Sequence, residues 1–256
     1  MGTKPGAPRV TVLAVDGLRK SFGGVAAVDG VSFRVGAGEM LALIGPNGAG
    51  KTTCFNMVGG QLRSDAGSVR LAGREIGGMR PRSVCRLSVG RTFQVTATFA
   101  SMTARENVQV AVMAHRRTTW RWWRPAYALE STAADALLDQ VGLAAQAERA
   151  AGVLAYGDLK RLELAMALAA EPRLLLMDEP TAGMAPRERV ALMQLVRSVA
   201  KERALAVLFT EHDMDVVFGV SDRIAVLARG ALIASGTGEA IRADPQVRAI
   251  YLGAGH

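Results

Sequence analysis

Gly45-Pro46-Asn47-Gly48-Ala49-Gly50-Lys51-Thr52-Thr53 fits the phosphate-binding pattern GxxxxGK[ST] and carries the strongest structural signal in this chain. The apolar run 40–44 before it predicts a buried strand, and residues 53–61 after it predict a helix. Glycines let backbone N–H groups turn toward an anion, and a helix N-terminus adds partial positive charge. The stretch therefore predicts a nucleotide site in which Lys51 reaches the β- and γ-phosphates and the Thr52 hydroxyl is a ligand of Mg²⁺.

A second signal lies at the end of another apolar run, Leu174-Leu175-Leu176-Met177-Asp178-Glu179-Pro180. Carboxylates at the end of a buried strand are costly unless a cation pairs with them. Because a phosphate loop is present, nucleotide-bound Mg²⁺ is the expected cation. We expect Asp178 to hold Mg²⁺ through water and Glu179 to polarise the water that attacks the γ-phosphate. The alternative is a pair of solvated acids in a turn.

A third signal is the short turn Leu154-Ala155-Tyr156-Gly157-Asp158, which precedes a strongly helical composition over residues 159–170. The turn carries a glycine and lies before a predicted helix N-terminus, as the phosphate loop does. It is therefore a second candidate for a phosphate contact.

The order of these motifs resembles that of the ATP-binding subunits of ABC transporters over nearly the whole chain, with Gln94 and Thr210-Glu211-His212-Asp213 in matching places. The resemblance implies an α/β fold: a P-loop ABC-type ATPase core with a mostly parallel sheet, an antiparallel β layer and an inserted helical subdomain. It also implies a single ATP-hydrolysing domain over residues 8–256, with ATP and Mg²⁺ as cofactors. The helical subdomain is expected at about 95–170 and a C-terminal tail at about 236–256.

The resemblance also assigns roles. Phe22 matches the aromatic on which adenine stacks, and Gln94 matches the glutamine that contacts Mg²⁺ and senses the membrane subunit. His212 matches the histidine that contacts the γ-phosphate. Without the context of the motifs, Phe22 and His212 would each be interpreted as a structural side chain. The expected ATP-binding residues are Phe22, Gly45, Pro46, Asn47, Gly48, Ala49, Gly50, Lys51, Thr52 and Thr53; the expected catalytic residues are Lys51, Glu179 and His212; the expected Mg²⁺ ligands are Thr52, Gln94 and Asp178.

The turn at residues 154–158 matches the family signature, which contacts the ATP of a facing subunit, but it departs from the common form. Only Leu154 and Gly157 are retained, whereas Ala155, Tyr156 and Asp158 replace a serine, a glycine and a glutamine. Downstream, Met184-Ala185 stands where a Leu-Asp pair is common. These departures predict a weakened composite site at the signature and leave ATP binding by this chain's own loop intact.

Within the family, the likeness is to an ATP-binding protein of the branched-chain amino acid uptake system. It rests on 91–94, 154–157, 182–184, 210–214 and the tail 240–253. By the same resemblance, related members serve urea, amides and other small carboxylates, so the likeness does not name a solute. It implies two facing ATP-binding subunits, paralogous or identical, two membrane permeases and, indirectly, a periplasmic solute-binding protein.

Composition agrees with one large domain, because the chain has 256 residues and 50% apolar content. Uncharged apolar runs fall short of the ~20 residues of a membrane span, and the start lacks a secretory signal, so we expect a peripheral protein on the cytoplasmic face of the inner membrane.

The net charge of +8 leaves one alternative, an ABC-type ATPase acting on nucleic acid or ribosomes. A single phosphate loop without sustained heptads favours the transporter, with no nucleic acid expected.

The segment 116–125 concentrates all three tryptophans with four arginines. It is either a solvated loop or a protruding segment that contacts lipid headgroups or a membrane subunit.

Elsewhere the patterns predict short antiparallel strands over 8–38 and 67–75, core strands near 40–44, 173–178, 205–210 and 223–228, and helices near 51–61, 186–202 and 213–219.

Overall fold

The computed structural model describes residues 10–92, 98–116 and 130–252. The strands of this part of the chain are β1 (Thr11–Phe22), β2 (Val25–Gly36), β3 (Met40–Ile44), β4 (Ala66–Leu71), β5 (Arg74–Glu75), β6 (Val89–Thr92), β7 (Leu174–Asp178), β8 (Ala206–Thr210), β9 (Arg223–Ala228) and β10 (Ala231–Gly236). The helices are α1 (Lys51–Val58), α2 (Pro81–Cys85), α3 (Ala104–Arg116), α4 (Ser131–Gln140), α5 (Tyr156–Leu168), α6 (Pro186–Glu202), α7 (Met214–Val220), α8 (Gly238–Ala243) and α9 (Pro245–Leu252).

A six-stranded sheet with the order β10-β9-β3-β8-β7-β6 forms the centre of the fold. Its strands run parallel except β10, which pairs antiparallel with β9. Since β8 lies between β3 and β7, the carboxyl ends of these three strands are adjacent, and that edge is where open α/β sheets bind ligands. The predicted α/β fold with a mostly parallel sheet is confirmed.

The core strands are apolar without a break because both faces of the sheet are buried. Along β3, Met40, Ala42 and Ile44 join one core, whereas Leu41 and Leu43 join the other. The first core packs against α3–α7, and the second packs against α1 and the antiparallel sheet. Helix α1, which leaves the phosphate loop, is therefore held between two sheets.

The second sheet is antiparallel, with the order β2-β1-β4-β5. The prediction of short strands over residues 8–38 is wrong in length, because β1 and β2 each run for 12 residues. Their pairing shifts register between Val15 and Leu18, where Gly17 has a φ of 60°. Such irregularities bend and twist a long strand, and the two strands remain paired on either side of them.

Helix bounds differ from the predictions where glycine or a capping side chain intervenes. Helix α6 has the predicted bounds, but α1 ends at Val58 and not at residue 61. Gly60 follows it with a φ of 74°, and a Cβ there would lie 2.5 Å from the Met79 carbonyl oxygen. Helix α7 begins at Met214 because Asp213 caps it.

Helices α3, α4 and α5 come between β6 and β7 in the chain and pack together on the first core. They fall within the predicted helical subdomain at about 95–170, whose boundaries stay a prediction. Among the residues described, no helix has both the length and the apolar character that crossing a membrane requires.

Candidate functional site

The loop between β3 and α1 is shaped by glycines that no other residue could replace. A Cβ on Gly45 would lie 2.2 Å from the Leu227 carbonyl oxygen, and one on Gly50 would lie 2.4 Å from that of Ala27. Both glycines also have φ in the left-handed range, 155° and 101°. The backbone is therefore packed closely against neighbouring strands while its turn opens toward the carboxyl edge of the sheet.

Lys51 begins α1, and its side chain folds back over this loop. Its Nζ donates to the carbonyl oxygens of Gly45 (2.7 Å) and Pro46 (3.1 Å), and the residue is 7% exposed. Burial lowers the pKa of Lys51, whereas Glu179 and Asp178 act in the opposite direction. The ammonium group thus lies inside the loop, near two carboxylates and bonded to carbonyls that a stronger acceptor could replace.

Asp178 ends β7 and Glu179 follows it, and Thr210 at the end of β8 fixes both. The Thr210 Oγ1 donates to Asp178 Oδ1 at 2.6 Å and accepts from the Glu179 N–H at 3.1 Å. The same N–H also donates to the Thr210 carbonyl at 3.2 Å, and Glu179 has a φ of 49°. We assigned no role to Thr210 from the sequence, although its place at the end of a neighbouring parallel strand was the available signal.

His212 meets Glu179 across this edge, with 2.8 Å between its Nε2 and the carboxylate Oε1. The backbone that carries His212 is held by Glu211, whose Oε2 accepts from the His212 N–H at 3.1 Å. Glu211 is itself buried and accepts from both the N–H (2.9 Å) and the hydroxyl (2.6 Å) of Thr181. The loops after β7 and β8 are thereby locked together around the two partly exposed side chains.

Arg91 on β6 is a half-buried cation that the sequence pattern did not assign to the site. It donates to Asn56 Oδ1 on α1 (3.1 Å) and lies 5.5 Å from the Phe55 ring centroid. Its Nε and one terminal nitrogen have no acceptor among the described residues. Burial lowers the pKa of Arg91, while Asp178 and Cys85 oppose that shift. Arg91 thus connects β6, the strand that leads to Gln94, with the helix of the phosphate loop.

The signature turn has a different local structure from the one expected. Helix α5 was predicted over 159–170 but runs from Tyr156 to Leu168, so Gly157 and Asp158 lie in its first turn. Ala155 is its N-cap, in an extended conformation and without a side-chain cap. A Cβ on Gly157 would lie 3.3 Å from the Glu188 carboxylate, a close contact that this exposed side chain could relieve by moving. An acid in the first turn suits the helix dipole.

The remaining predicted residues lie in accessible places or outside the described part. Phe22 ends β1 with its ring 51% exposed and the Lys20 ammonium 5.6 Å from the ring centroid, so a face is open to a planar ligand. Thr52 is exposed in the first turn of α1. Gln94 and residues 117–125 of the tryptophan and arginine segment lie outside the described residues.

The geometry of these residues fits a nucleoside triphosphate with Mg²⁺. A glycine cradle that a Cβ would fill, a buried ammonium and two adjacent carboxylates share one edge of the sheet. In the described residues, no group of three or more His, Cys, Asp or Glu side chains could hold a metal ion by itself. Mg²⁺ in ATPase sites is held by one or two protein oxygens together with substrate phosphates and water, and the Asp178 carboxylate at the end of β7 offers an oxygen of that kind.

Comparisons with known proteins agree with this geometry. The sequence profile described as "ABC transporter" matches residues 28–182, and that of the "Branched-chain amino acid ATP-binding cassette transporter" matches residues 231–256. The chain is 42% identical to the high-affinity branched-chain amino acid transport ATP-binding protein BraF of Pseudomonas aeruginosa over 94% of this chain and 98% of that protein. It is 38% identical to LivG of Escherichia coli, which carries the same description, over equal shares.

Solved structures give the same result. A crystal structure of the ADP conformation of an ATP-binding cassette of an ABC transporter superposes with a TM-score of 0.84 and 31% identity, over 95% of this chain and 99% of the other. The cbiO1 subunit of the cbiONQ ABC transporter complex of Clostridium perfringens gives 0.80 and 26%, over 96% and 97%. The chain belongs to the family of ABC transporter ATP-binding subunits and is an ATPase of that family.

Proposed function

We propose that this chain is the ATP-hydrolysing motor subunit of an importer for branched-chain amino acids or related small solutes. The observation that carries the proposal is the meeting of Lys51, the Asp178-Glu179 pair and His212 at one edge of the sheet. Each group comes from the end of a different core strand, so the parallel order of the strands places them together.

The residues that would hold the nucleotide follow from this arrangement. Backbone N–H groups of the glycine loop and the N-terminus of α1 bind the phosphates, and Lys51 exchanges its carbonyl contacts for phosphate oxygens. Phe22 offers its exposed ring to the adenine. Thr52 and Asp178, with Gln94, would hold Mg²⁺, which neutralises charge on the phosphates when bound.

Glu179 is proposed to orient the attacking water. Its backbone is fixed by Thr210 and its carboxylate by His212, so the side chain is held in place before a substrate binds. Such preorganisation lowers the barrier because the group need not be oriented during the reaction.

A complete hydrolytic site requires a second ATP-binding subunit in this proposal. The N-terminus of α5 lies beside the loop 180–185, and its first-turn N–H groups have no side-chain cap. Facing another subunit, these groups would contact the γ-phosphate held by that subunit. Closure of the pair would act on two membrane permeases and, through them, on a periplasmic binding protein. The chain would then lie peripherally on the cytoplasmic face of the inner membrane.

The solute class rests on the names of the relatives and on the profile that matches residues 231–256. The test is reconstitution of the full complex, with its permeases and periplasmic binding protein, in ATP-loaded proteoliposomes. We expect ATP-dependent uptake of labelled leucine. A complex that carries Glu179→Gln is the control and should show no uptake. ATP-driven uptake of another solute but not of leucine would overturn the solute class, and ATP-independent uptake would overturn the motor function.

A further inference from the structure

Tyr156, which stands where the common signature has a glycine, ties the start of α5 to the loop between β7 and α6. Its hydroxyl donates to the Ala182 carbonyl oxygen at 3.0 Å. The ring also lies against Gly183, since a Cβ built on that glycine would be 3.6 Å from the ring. The ring has a second contact within its own helix: the Lys160 ammonium lies over it, 5.4 Å from the ring centroid. The ring is thus held between its own helix and a loop 26 residues away.

That loop begins at the proposed base. The Ala182 N–H donates to the Glu179 carbonyl at 3.1 Å, and the Met184 N–H donates to that of Thr181 at 3.1 Å. Ala182 is therefore joined to Glu179 by one hydrogen bond and to Tyr156 by another. A displacement of the α5 N-terminus would reach Glu179 through two bonds.

Apolar burial alone does not explain why a tyrosine stands at position 156. Tyr156 is 45% exposed, so its ring contributes less apolar burial than a core residue would, while its hydroxyl has a defined acceptor. The hydroxyl is also turned to its own chain, so it does not replace the missing serine hydroxyl of Ala155 toward a facing subunit.

We propose that Tyr156 is a positioning residue that couples contact of the signature turn with a facing subunit's nucleotide to the orientation of Glu179 in its own chain. The inference rests on the proposed function, because it requires a facing subunit. It assigns the unusual signature residue a role within the chain: the phosphate-contacting helix N-terminus and the base-bearing loop move as one unit.

The first test measures the link in the isolated chain by amide hydrogen exchange. Tyr156→Phe keeps the ring and removes the hydroxyl, whereas Tyr156→Ala removes both. We expect both variants to exchange faster at the hydrogen-bonded amides of Ala182 and Met184 by about three- to tenfold, the equilibrium effect of one lost hydrogen bond. Ser198→Ala, which removes an exposed hydroxyl near the C-terminal end of α6, is the control. Wild-type exchange in Tyr156→Phe would overturn the proposal.

The second test measures ATP hydrolysis by the assembled transporter. We expect Tyr156→Phe to lower kcat by about three- to tenfold and to change the KM for ATP less than twofold, because the lost bond positions the base. An equal fall in Tyr156→Ala supports the hydroxyl as the link. Loss in Tyr156→Ala alone assigns the effect to ring packing and overturns the proposal. A wild-type assembly without ATPase activity contradicts the proposed function, and the exchange experiment still decides the link.

Discussion

The Nε2 of His212 lies 2.8 Å from the Oε1 of Glu179, so the loops after β8 and β7 meet through the two side chains proposed for catalysis. The side chains are 52% and 30% exposed, and contacts between such exposed groups add little to stability. The contact therefore matters for orientation: it holds the Glu179 carboxylate in one direction before ATP arrives.

Glu179→Gln should leave ATP binding intact and lower turnover by a factor on the order of 10²–10⁴, because it removes a general base and keeps the size of the side chain. Equilibrium nucleotide binding and phosphate release on the same preparation measure the two effects. His212→Ala is the companion variant and should give a smaller loss, since Thr210 still fixes the backbone of Glu179. Normal hydrolysis by Glu179→Gln would remove the assignment of the base.

Lys51→Ala should weaken binding itself. The ammonium is buried in the phosphate loop, and a hydrogen bond to a charged group contributes about 1.5–3 kcal/mol, so we expect roughly a tenfold to hundredfold rise in the Kd for ATP. Lys201→Ala is the control, because that lysine pairs with Asp222 at the far end of α6. Equal Kd values for Lys51→Ala and the wild type would show that the loop binds phosphate without this lysine.

Asp213 should make the free energy of unfolding sensitive to acid. The Val216 N–H, followed by Arg189, lowers the pKa of Asp213 below its ordinary value of 3.8. A carboxylate with a lowered pKa in the folded state stabilises the protein above that ordinary value, and the contribution is lost as the pH falls through the folded pKa. Asp213→Ala should therefore cost about 1 kcal/mol at pH 7 in urea unfolding, and less once the pH has fallen through the folded pKa of Asp213.

Asp213→Asn is the matched variant, because an amide oxygen can still cap α7 but carries no charge toward Arg189. Its cost at pH 7 should be smaller than that of Asp213→Ala. A difference between Asp213→Ala and the wild type that stays constant as the pH falls from 7 to below the folded pKa of Asp213 would contradict the electrostatic part of this account.

Ala155→Ser should act at two levels. Ala155 is the N-cap of α5 without a side-chain cap, and a serine there should add about 1 kcal/mol to the free energy of unfolding. In the assembly that we propose, the hydroxyl would also face the γ-phosphate held by the second subunit, so ATP affinity or turnover should rise. Ala155→Val, with no acceptor, is the control. A more stable chain without a gain in the assembly would limit the serine to helix capping.

The two cysteines should differ in reactivity. Burial raises the pKa of the Cys54 thiol to about 12, and the side chain is fully enclosed behind the phosphate loop, whereas Cys85 is exposed. Because the thiolate is the nucleophile, we expect alkylation of the native chain at pH 7.5 to modify Cys85 alone. Cys85→Ser should then stay unmodified until it is unfolded. Rapid labelling of Cys54 in the native Cys85→Ser variant would show that α1 opens readily.

The sequence by itself predicted the parts whose chemistry is local. The phosphate loop depends on a few adjacent residues, because glycine conformation and a helix N-terminus act over one turn. The apolar runs that became β3 and β7 were equally clear, since strands buried on both faces need uninterrupted apolar residues. The order of the motifs then led to the family, which the comparisons confirmed.

Only the tertiary structure decided how these parts meet. Neither the contact of His212 with Glu179 nor the double hydrogen bond of Thr210 could be predicted from composition, because both depend on the order of strands in the sheet. The start of α5 at Tyr156 was missed for the same reason. Its first turn bonds the Ala182 carbonyl through the Tyr156 hydroxyl and lies beside the Glu188 carboxylate, groups distant in the chain that only packing brings close.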